Sequence, residues 1–249
     1  MGSGPNNWRL WDGRAAVKTN ADGTVTVSAG RSNGYNAHIV TAVPNAGSFL
    51  GKTFKGSCGG YYAMQFSFPG TAVQNNGWPG FWANDIENQI SQGGGLAHWP
   101  NQAAGYVTSV EVDVVEWMSG NARYGGALHH WYGLYPYTAT NTEASGSPFA
   151  VPAGTNTAQP HWYGGLHVPA TATSQGYFEW YFDHKKVGNR MSWNKYNAAS
   201  PPPPVNGSTA YAVMDERNLY WIAGSGPTNP ITISAFEAWQ PRADCTTSR

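Results

Sequence analysis

The sequence predicts an all-β protein built as a two-sheet antiparallel β-sandwich. Short runs of alternating apolar and polar residues recur along the chain with turn residues between them, and no convincing helical period is present. The 249 residues include 31 Gly, 17 Pro, 12 Trp, 14 Tyr and 9 Phe, whereas only 11% are charged. This composition is typical of many short strands joined by turns. Twelve Trp exceed what one core needs, so some are expected to line a groove, where their flat rings can stack on a ligand.

The N-terminal part of the chain is expected to form five strands before an acidic central segment. Residues 1–9 lack any period and are expected to be a flexible N-terminal segment that begins with an expression scar, whereas residues 10–249 are expected to form a single β-sandwich domain. The first two predicted strands flank a hairpin-like turn at residues 20–23. The five predicted strands are residues 10–15, 24–28, 37–41, 60–68 and 78–82.

The rest of the chain is expected to alternate between strands and long connections. Residues 84–105 are predicted to be a loop without a strand, which forms a wall or lid over a ligand. Residues 134–170 are predicted to be mostly loop, with one edge strand at most. The predicted strands after the central segment are residues 124–133, 176–183, 187–193, 218–224 and 231–239.

The central segment combines strand-forming residues with three carboxylates. Residues 109–118 read Ser-Val-Glu-Val-Asp-Val-Val-Glu-Trp-Met, in a chain with only 14 acidic residues. On a regular strand Glu111 and Asp113 share one face, and Glu116 lies on the other. A β-bulge at Val114 and Val115 would bring Glu116 to the first face and turn Trp117 towards the valines. The sequence therefore predicts a bulged strand with three carboxylates on one face.

Three adjacent carboxylates suit general acid and nucleophilic catalysis. Like charges at short range raise the pKa of at least one carboxyl group, which leaves a protonated acid beside an ionised carboxylate. A retaining glycosidase uses this pairing. The alternative is a solvated polar face on an amphipathic strand, although such a strand has no reason to break its period.

The acidic segment resembles the E-x-D-x-x-E signature of glycoside hydrolase family 16, the laminarinase-like enzymes. Three more segments match strands of that family in the same order: residues 77–82 (Gly-Trp-Pro-Gly-Phe-Trp), 126–129 (Gly-Ala-Leu-His) and 177–180 (Tyr-Phe-Glu-Trp). The resemblance implies a jelly roll with a concave substrate cleft. It also implies retaining, endo-acting hydrolysis of a β-linked polysaccharide, first of all a β-1,3-glucan or a mixed β-1,3/1,4-glucan. A galactan-active relative and a non-catalytic, lectin-like carbohydrate-binding module on the same fold stay open as alternatives.

The resemblance also implies roles for individual residues. Glu111 would be the nucleophile and Glu116 the acid/base, with Asp113 between them holding their protonation states apart. Five further side chains are expected to contact substrate: Trp78, Trp82, Trp99, His129 and Trp180. Core packing is the alternative for Trp78 and Trp82, and His130 is expected to point away from His129. The chemistry needs no cofactor, although a structural calcium is possible, with ligands that the sequence does not identify.

One segment departs from the family pattern. Residues 62–65 read Tyr-Ala-Met-Gln, where many members have Phe-Glu-Ala-Arg. Sugar contacts that the family makes from this strand are therefore in doubt.

Charge and cysteine content limit which partners and which cellular compartment are expected. The formal net charge is zero and no Lys/Arg run exceeds two residues, so neither nucleic acid nor an anionic membrane is an expected partner. Cys58 and Cys245 are the only cysteines, and they either form a disulfide or are two unrelated thiols. The expected protein is a secreted monomer that acts on a polysaccharide.

Overall fold

The computed structural model describes residues 9–12, 17–28, 38–69, 79–91, 101–103, 106–117, 123–134, 140–145, 149–196, 209–224 and 230–248. Within these ranges two antiparallel sheets pack face to face. The first sheet contains β1 (Arg9–Asp12), β4 (His38–Val40), β5 (Ala42–Asn45), β6 (Ser48–Lys55), β8 (Gly80–Asp85), β9 (Tyr106–Glu116), β10 (Arg123–Leu134), β11 (Thr140–Ser145), β12 (Phe149–Ala150), β16 (Asn218–Gly224) and β18 (Thr246–Ser248). The second contains β2 (Val17–Thr19), β3 (Val25–Val27), β7 (Gly60–Ser67), β13 (His161–Val168), β14 (Gly176–Phe182), β15 (Lys185–Trp193) and β17 (Ile231–Trp239). Two short helices are α1 (Ile86–Ser91) and α2 (Val213–Glu216).

The strand order puts the acidic strand near the middle of the first sheet. That sheet runs β1-β4-β16-β8-β9-β10-β11, and the second runs β15-β14-β13-β7-β17-β3-β2. Strands distant in sequence are neighbours, as β16 beside β8 and β17 beside β7 show. The predicted all-β fold class is confirmed as a β-sandwich jelly roll.

Alternating side chains from both sheets fill the main core. On β9 the inward residues include Val110, Val112 and Val114, and the facing side chains of the second sheet include Met64 and Phe178. Each of them is almost fully removed from water. Burial of this apolar surface is the main term that holds the sheets together.

A second, smaller core lies on the other face of the first sheet. Tyr220 and Ile222 of β16 alternate with core residues and pack instead against β5, β6 and α1. The residues of this cluster are Val40, Ala42, Val43, Phe49, Ile86, Tyr220 and Ile222. We call the face of the first sheet that is turned away from the main core the outer face. The second core covers its β4–β16 side.

Several predicted elements differ from the structure. The turn at residues 20–23 joins β3 to β2, whereas β1 pairs with β4 in the first sheet. Residues 84–105 are not a loop throughout, because they contain the end of β8 and α1. Residues 134–170 are not mostly loop either, since β13 is an inner strand between β7 and β14.

The departure from the family pattern falls in the second sheet. Residues 62–65 belong to β7, where Tyr62 and Met64 point into the main core. Within the described residues this strand does not reach the outer face of the first sheet.

The C-terminus is fixed by pairing and by a covalent bond. β18 pairs with β6, and Cys245 forms a disulfide with Cys58 just after β6, with the two Cα atoms 5.8 Å apart. Of the two alternatives for the cysteines, the structure contains the disulfide. Neither described helix has the length and apolar character of a membrane-spanning segment.

Candidate active site

The acidic strand contains the predicted bulge. On one side, Glu116 and Asp113 of β9 pair with Gly125 and Ala127 of β10. The two acids are three residues apart on β9, whereas their partners are only two residues apart on β10. On the other side, Val115 and Asp113 pair with the consecutive residues Phe81 and Trp82 of β8. The extra residue therefore lies on β9 between Asp113 and Glu116, as the sequence predicts.

The bulge sorts the side chains of β9 onto two faces. Val114, Val115 and Trp117 are all buried in the main core. Two consecutive core residues leave Glu116 on the outer face, with Glu111 and Asp113. Trp117 continues the pairing beyond the bulge, because its N–H donates to the carbonyl of Pro79.

The cross-strand neighbours of Glu116 are small. Its cross-strand partners are Gly80 on β8 and Gly125 on β10. Neither contributes a side chain to this row. Glu116 is half-buried and close enough to Asp113 for its charge to raise the pKa of that group.

Asp113 has a strongly raised pKa. Its side chain is 3% exposed, and burial raises its pKa to about 8, with further increases from the charges of Glu116 and Glu111. The Nε2 atom of His129 lies 3.0 Å from Asp113 Oδ2, and this contact partly opposes the shift. His129 is therefore placed at the acidic cluster, where the sequence analysis expects it.

Glu111 receives its own ring partner from β10. The indole Nε1–H of Trp131 donates to Glu111 Oε2 at 2.8 Å, and the Trp131 ring stacks on His129 with centroids 5.8 Å apart. Asn84 of β8 is the cross-strand neighbour of Glu111 on the other side. Neither Trp131 nor Asn84 is among the residues predicted from the sequence. The sequence did contain a signal for Trp131. It is two residues after His129 on a predicted strand, so the strand period places both side chains on one face.

His130 points to the opposite side of β10. It is 1% exposed, and burial, together with the charge of Arg217, lowers its pKa to about 4. The expectation that the two adjacent histidines face opposite ways is confirmed.

Trp180 does not contact substrate, and that prediction is wrong. Its side chain is fully buried in the main core because it shares the inward face of β14 with Phe178 and Phe182. Its indole Nε1–H donates to the backbone carbonyl of Asp113 at 2.8 Å. A Cβ at Gly126 would collide with this indole, so the glycine opposite the bulge leaves space for it. Trp180 thus supports the bulge from beneath.

The other predicted aromatic contacts have different outcomes. Trp82 lies on the outer face, directly across from Asp113, with its ring edge-to-face against His38 at 5.1 Å. It is half-buried against the second core. Trp78 and Trp99 lie outside the described residues. Contact of Trp82 and His129 with a sugar stays a prediction.

No metal centre is evident among the described residues, where no group of three His, Cys, Asp or Glu side chains is arranged to hold a metal ion. The calcium that the family resemblance makes possible stays a prediction.

Solved structures share this fold. A laminarinase from Flavobacterium sp. UMI-01 superimposes with a TM-score of 0.56 at 14% identity, covering 94% of each chain. An endo-1,3-β-glucanase from Streptomyces sioyaensis gives 0.54 at 14% identity, covering 98% of this chain and 90% of its own. An endo-β-galactosidase from Clostridium perfringens that releases GlcNAcα1-4Gal gives 0.52 at 11% identity, covering 96% of this chain and 60% of its own. The chain has the fold of these enzymes.

Sequence comparison adds nothing to this likeness. No protein-family sequence model matches the chain, and no curated protein sequence is similar to it. At such low identity the likeness shows the fold alone. The features that bear on function are therefore the carboxylates on the outer face.

Proposed function

We propose that the protein is a retaining, endo-acting glycoside hydrolase of a neutral β-linked polysaccharide, with a β-1,3-linked glucan as the leading substrate. The observation that carries the proposal is the bulge, which breaks the strand period and gathers Glu111, Asp113 and Glu116 on one face. A solvated polar strand needs no such break. The laminarinase and the endo-1,3-β-glucanase with the same fold support the choice of glucan.

The proposed reaction is a double displacement. An oxygen of Glu111 forms a bond to the anomeric carbon while the glycosidic C–O bond breaks, and its electron pair goes to the leaving oxygen, which takes a proton from Glu116. Water then attacks the anomeric carbon, Glu116 takes its proton, and the bond to Glu111 breaks. Both steps use this chain's own carboxyl groups, and we propose no cofactor for them.

Asp113 keeps a proton between the two reacting acids. With a pKa raised to about 8, its carboxyl group is protonated at neutral pH and adds no negative charge beside Glu111 and Glu116. Glu111 can then be ionised while Glu116 carries the proton for the leaving group. The buried His129–Asp113 contact fixes the orientation of this middle acid.

The neighbours of the three acids favour a neutral substrate. The cross-strand partners of Glu111 are Asn84 and His129, those of Asp113 are Trp82 and Ala127, and those of Glu116 are glycines. None is Lys or Arg, which a sulfated galactan would call for. Trp82 offers an aromatic surface for a sugar ring.

Compartment and partners follow from the same proposal. The Cys58–Cys245 disulfide suits an oxidising environment, so we place the protein outside the cell. We further propose that it acts on its polysaccharide as a monomer.

Hydrolysis assays on defined polysaccharides test the proposal. We expect reducing ends from laminarin, with lichenan, xyloglucan, agarose and carrageenan as the alternatives. Glu111→Gln and Glu116→Gln should each lower hydrolysis of the active glucan by at least roughly 100-fold, because each removes one half of the double displacement. Glu237→Gln, which makes the same change on the second sheet, is the matched control and should stay active.

Two further measurements separate the mechanisms. Azide should give a β-glycosyl azide with Glu116→Ala, and the opposite configuration with Glu111→Ala and an activated donor. Retention also predicts carboxyl groups of Glu111 and Glu116 roughly 5 Å apart, whereas inversion needs about 8 Å. Full activity of Glu111→Gln would end the glycosidase assignment. Saccharide binding without products would make the protein a lectin-like module.

A further inference from the structure

We propose that Trp131 is a positioning residue that decides which oxygen of Glu111 attacks the sugar. The proposal rests on the glycosidase function above, with Glu111 as the nucleophile. It deepens that function, because it assigns different tasks to the two oxygens of one carboxylate.

Two rings on β10 lean in the same direction along β9. In register, His129 lies opposite Glu111 and Trp131 lies opposite Ser109. The side chains nevertheless meet one diagonal step further on, where His129 contacts Asp113 and Trp131 contacts Glu111. Diagonal contacts of this kind are within reach of aromatic side chains on neighbouring strands.

Stacking holds the Trp131 ring in this orientation. The planes of Trp131 and His129 are inclined by only 22° with their centroids 5.8 Å apart, so each ring restricts the orientation of the other. His129 is in turn held by Asp113, with 3.0 Å between Nε2 and Oδ2. Trp131 is half-buried, which partly shields its N–H from water. The direction of this N–H is therefore fixed before a substrate arrives.

The hydrogen bond distinguishes the two oxygens of Glu111. Trp131 Nε1–H donates to Oε2 at 2.8 Å, so Oε1 is the oxygen left to form the bond to the anomeric carbon. After attack Oε2 becomes the carbonyl oxygen of the glycosyl ester. When water releases the sugar, the electron pair of the C1–Oε1 bond returns to the carboxylate.

Trp131 acts unequally in the two steps. A hydrogen bond to an ionised acceptor is about twice as strong as one between neutral groups. The indole therefore stabilises the carboxylate that departs in the second step more than it stabilises the ester. Removing it should slow release of the sugar more than formation of the ester, so that the glycosyl-enzyme accumulates.

Trp131→Phe tests this assignment, because it keeps an aromatic ring and removes the N–H. On an activated aryl glycoside of the glucan that the enzyme cleaves, we expect kcat to fall roughly tenfold to hundredfold. We expect KM to fall with it, and one equivalent of aglycone to be released in a burst. Trp131→His keeps a ring N–H and should recover part of the lost kcat. An unchanged kcat, or a lower kcat with a raised KM and no burst, would overturn the proposal.

Trp239→Phe is the matched control. It makes the same substitution at a Trp that is 66% exposed at the end of β17 in the second sheet. Its kcat, KM and melting temperature should equal those of the wild type. Melting temperatures of the Trp131 variants, measured alongside, separate loss of the folded protein from loss of positioning.

A spectroscopic measurement tests the hydrogen bond without turnover. In protein labelled with ¹⁵N at the indoles, Trp131→Phe identifies one Nε1–H resonance, and we expect this resonance to shift upfield in Glu111→Ala. A resonance that does not move would refute the hydrogen bond and the proposal, whatever the enzyme hydrolyses. If the resonance moves but the wild type cleaves no glycoside, the hydrogen bond stands, and the proposed function and the positioning role both fall.

Discussion

At the scale of single residues, Asp113 shows how burial controls charge in the acidic row. Its carboxyl group is in contact with His129 and lies between two other carboxylates, yet burial is the largest cause of its raised pKa. Charging it would place a negative charge in a nearly water-free position. The folded protein therefore favours the protonated form of Asp113.

This raised pKa gives stability a specific pH dependence. A carboxyl group with a pKa of about 8 in the folded chain, against 3.8 normally, binds its proton more tightly when folded. Its contribution is fully present below pH 4 and is lost as the pH rises towards 8. Asp113→Asn cannot ionise, so we expect the wild type to lose several degrees of melting temperature relative to this variant between pH 4 and 8.

Asp22→Asn serves as the control for that measurement. Hydrogen bonds from Thr24 lower the pKa of the fully exposed Asp22, so its contribution is lost only as the pH falls below its normal pKa. Melting curves of Asp22→Asn should run parallel to the wild type above pH 5. Parallel curves for Asp113→Asn as well would contradict the raised pKa of Asp113.

The residues of the site could be predicted from the sequence only where the chain itself carried the signal. Three carboxylates that break the period of a valine-rich strand indicated both the bulge and its acids. The contacts of Trp131 and Trp180 depend on side chains from other strands. Trp180 was misplaced although it shares one face of the strand with Phe178 and Phe182, which already indicated a core position.

At the scale of elements, the bulged strand depends on support from the opposite sheet. Trp180 reaches through the core to the carbonyl of Asp113, at the point where the pairing of β9 with β10 is interrupted. A bulge leaves a backbone group without its ladder partner. The indole N–H supplies a partner there, and so connects β14 to the geometry of the acids.

Trp180→Phe should therefore affect both stability and activity. The lost hydrogen bond leaves a buried carbonyl unsatisfied, which costs about 1–3 kcal/mol, and we expect kcat on the active glucan to fall by roughly a factor of ten. Trp193→Phe is the control, since that buried indole donates to Asp215 instead. It should lose similar stability in denaturant unfolding but keep its kcat. Equal kcat values for the two variants would show that Trp180 does not act through the bulge.

The elements that were missed share a physical cause. β13 contains Gly164 and Gly165, which weaken the strand pattern, but the structure needs both because the Tyr61 and Phe178 rings occupy the space of their Cβ atoms. Helix α1 has only six residues, too few for a helical period to be visible. The carboxylate of Asp85 begins it by accepting the Asn88 N–H.

At the scale of the whole molecule, the outer face of the first sheet is divided in two. The second core covers the β4–β16 side, whereas the acids occupy β9 beside β8 and β10. Trp82 lies at the boundary, half-buried against the second core and opposite Asp113. The sequence indicated a two-sheet sandwich, but it could not indicate this cover. The cover depends on β5 and β6, whose sequences Ala-Val-Pro-Asn and Ser-Phe-Leu-Gly-Lys-Thr-Phe-Lys show no clear alternation of apolar and polar residues.

The disulfide is the constraint that acts over the longest stretch of chain. It joins Cys58 to Cys245 across 187 residues, next to the pairing of β6 with β18. Closing a loop of this length stabilises the folded state by about 5 kcal/mol in the chain-entropy model. We expect the double variant Cys58→Ser and Cys245→Ser to unfold at a clearly lower denaturant concentration and to lose the pairing of β18 first, because Cys245 lies directly before β18. Amide hydrogen exchange at residues 246–248 should therefore accelerate more than exchange in β9.

Thiol titration tests whether the disulfide is present. In the wild type, denatured without reductant, it should find no free thiol. Two titratable thiols per chain would contradict the disulfide.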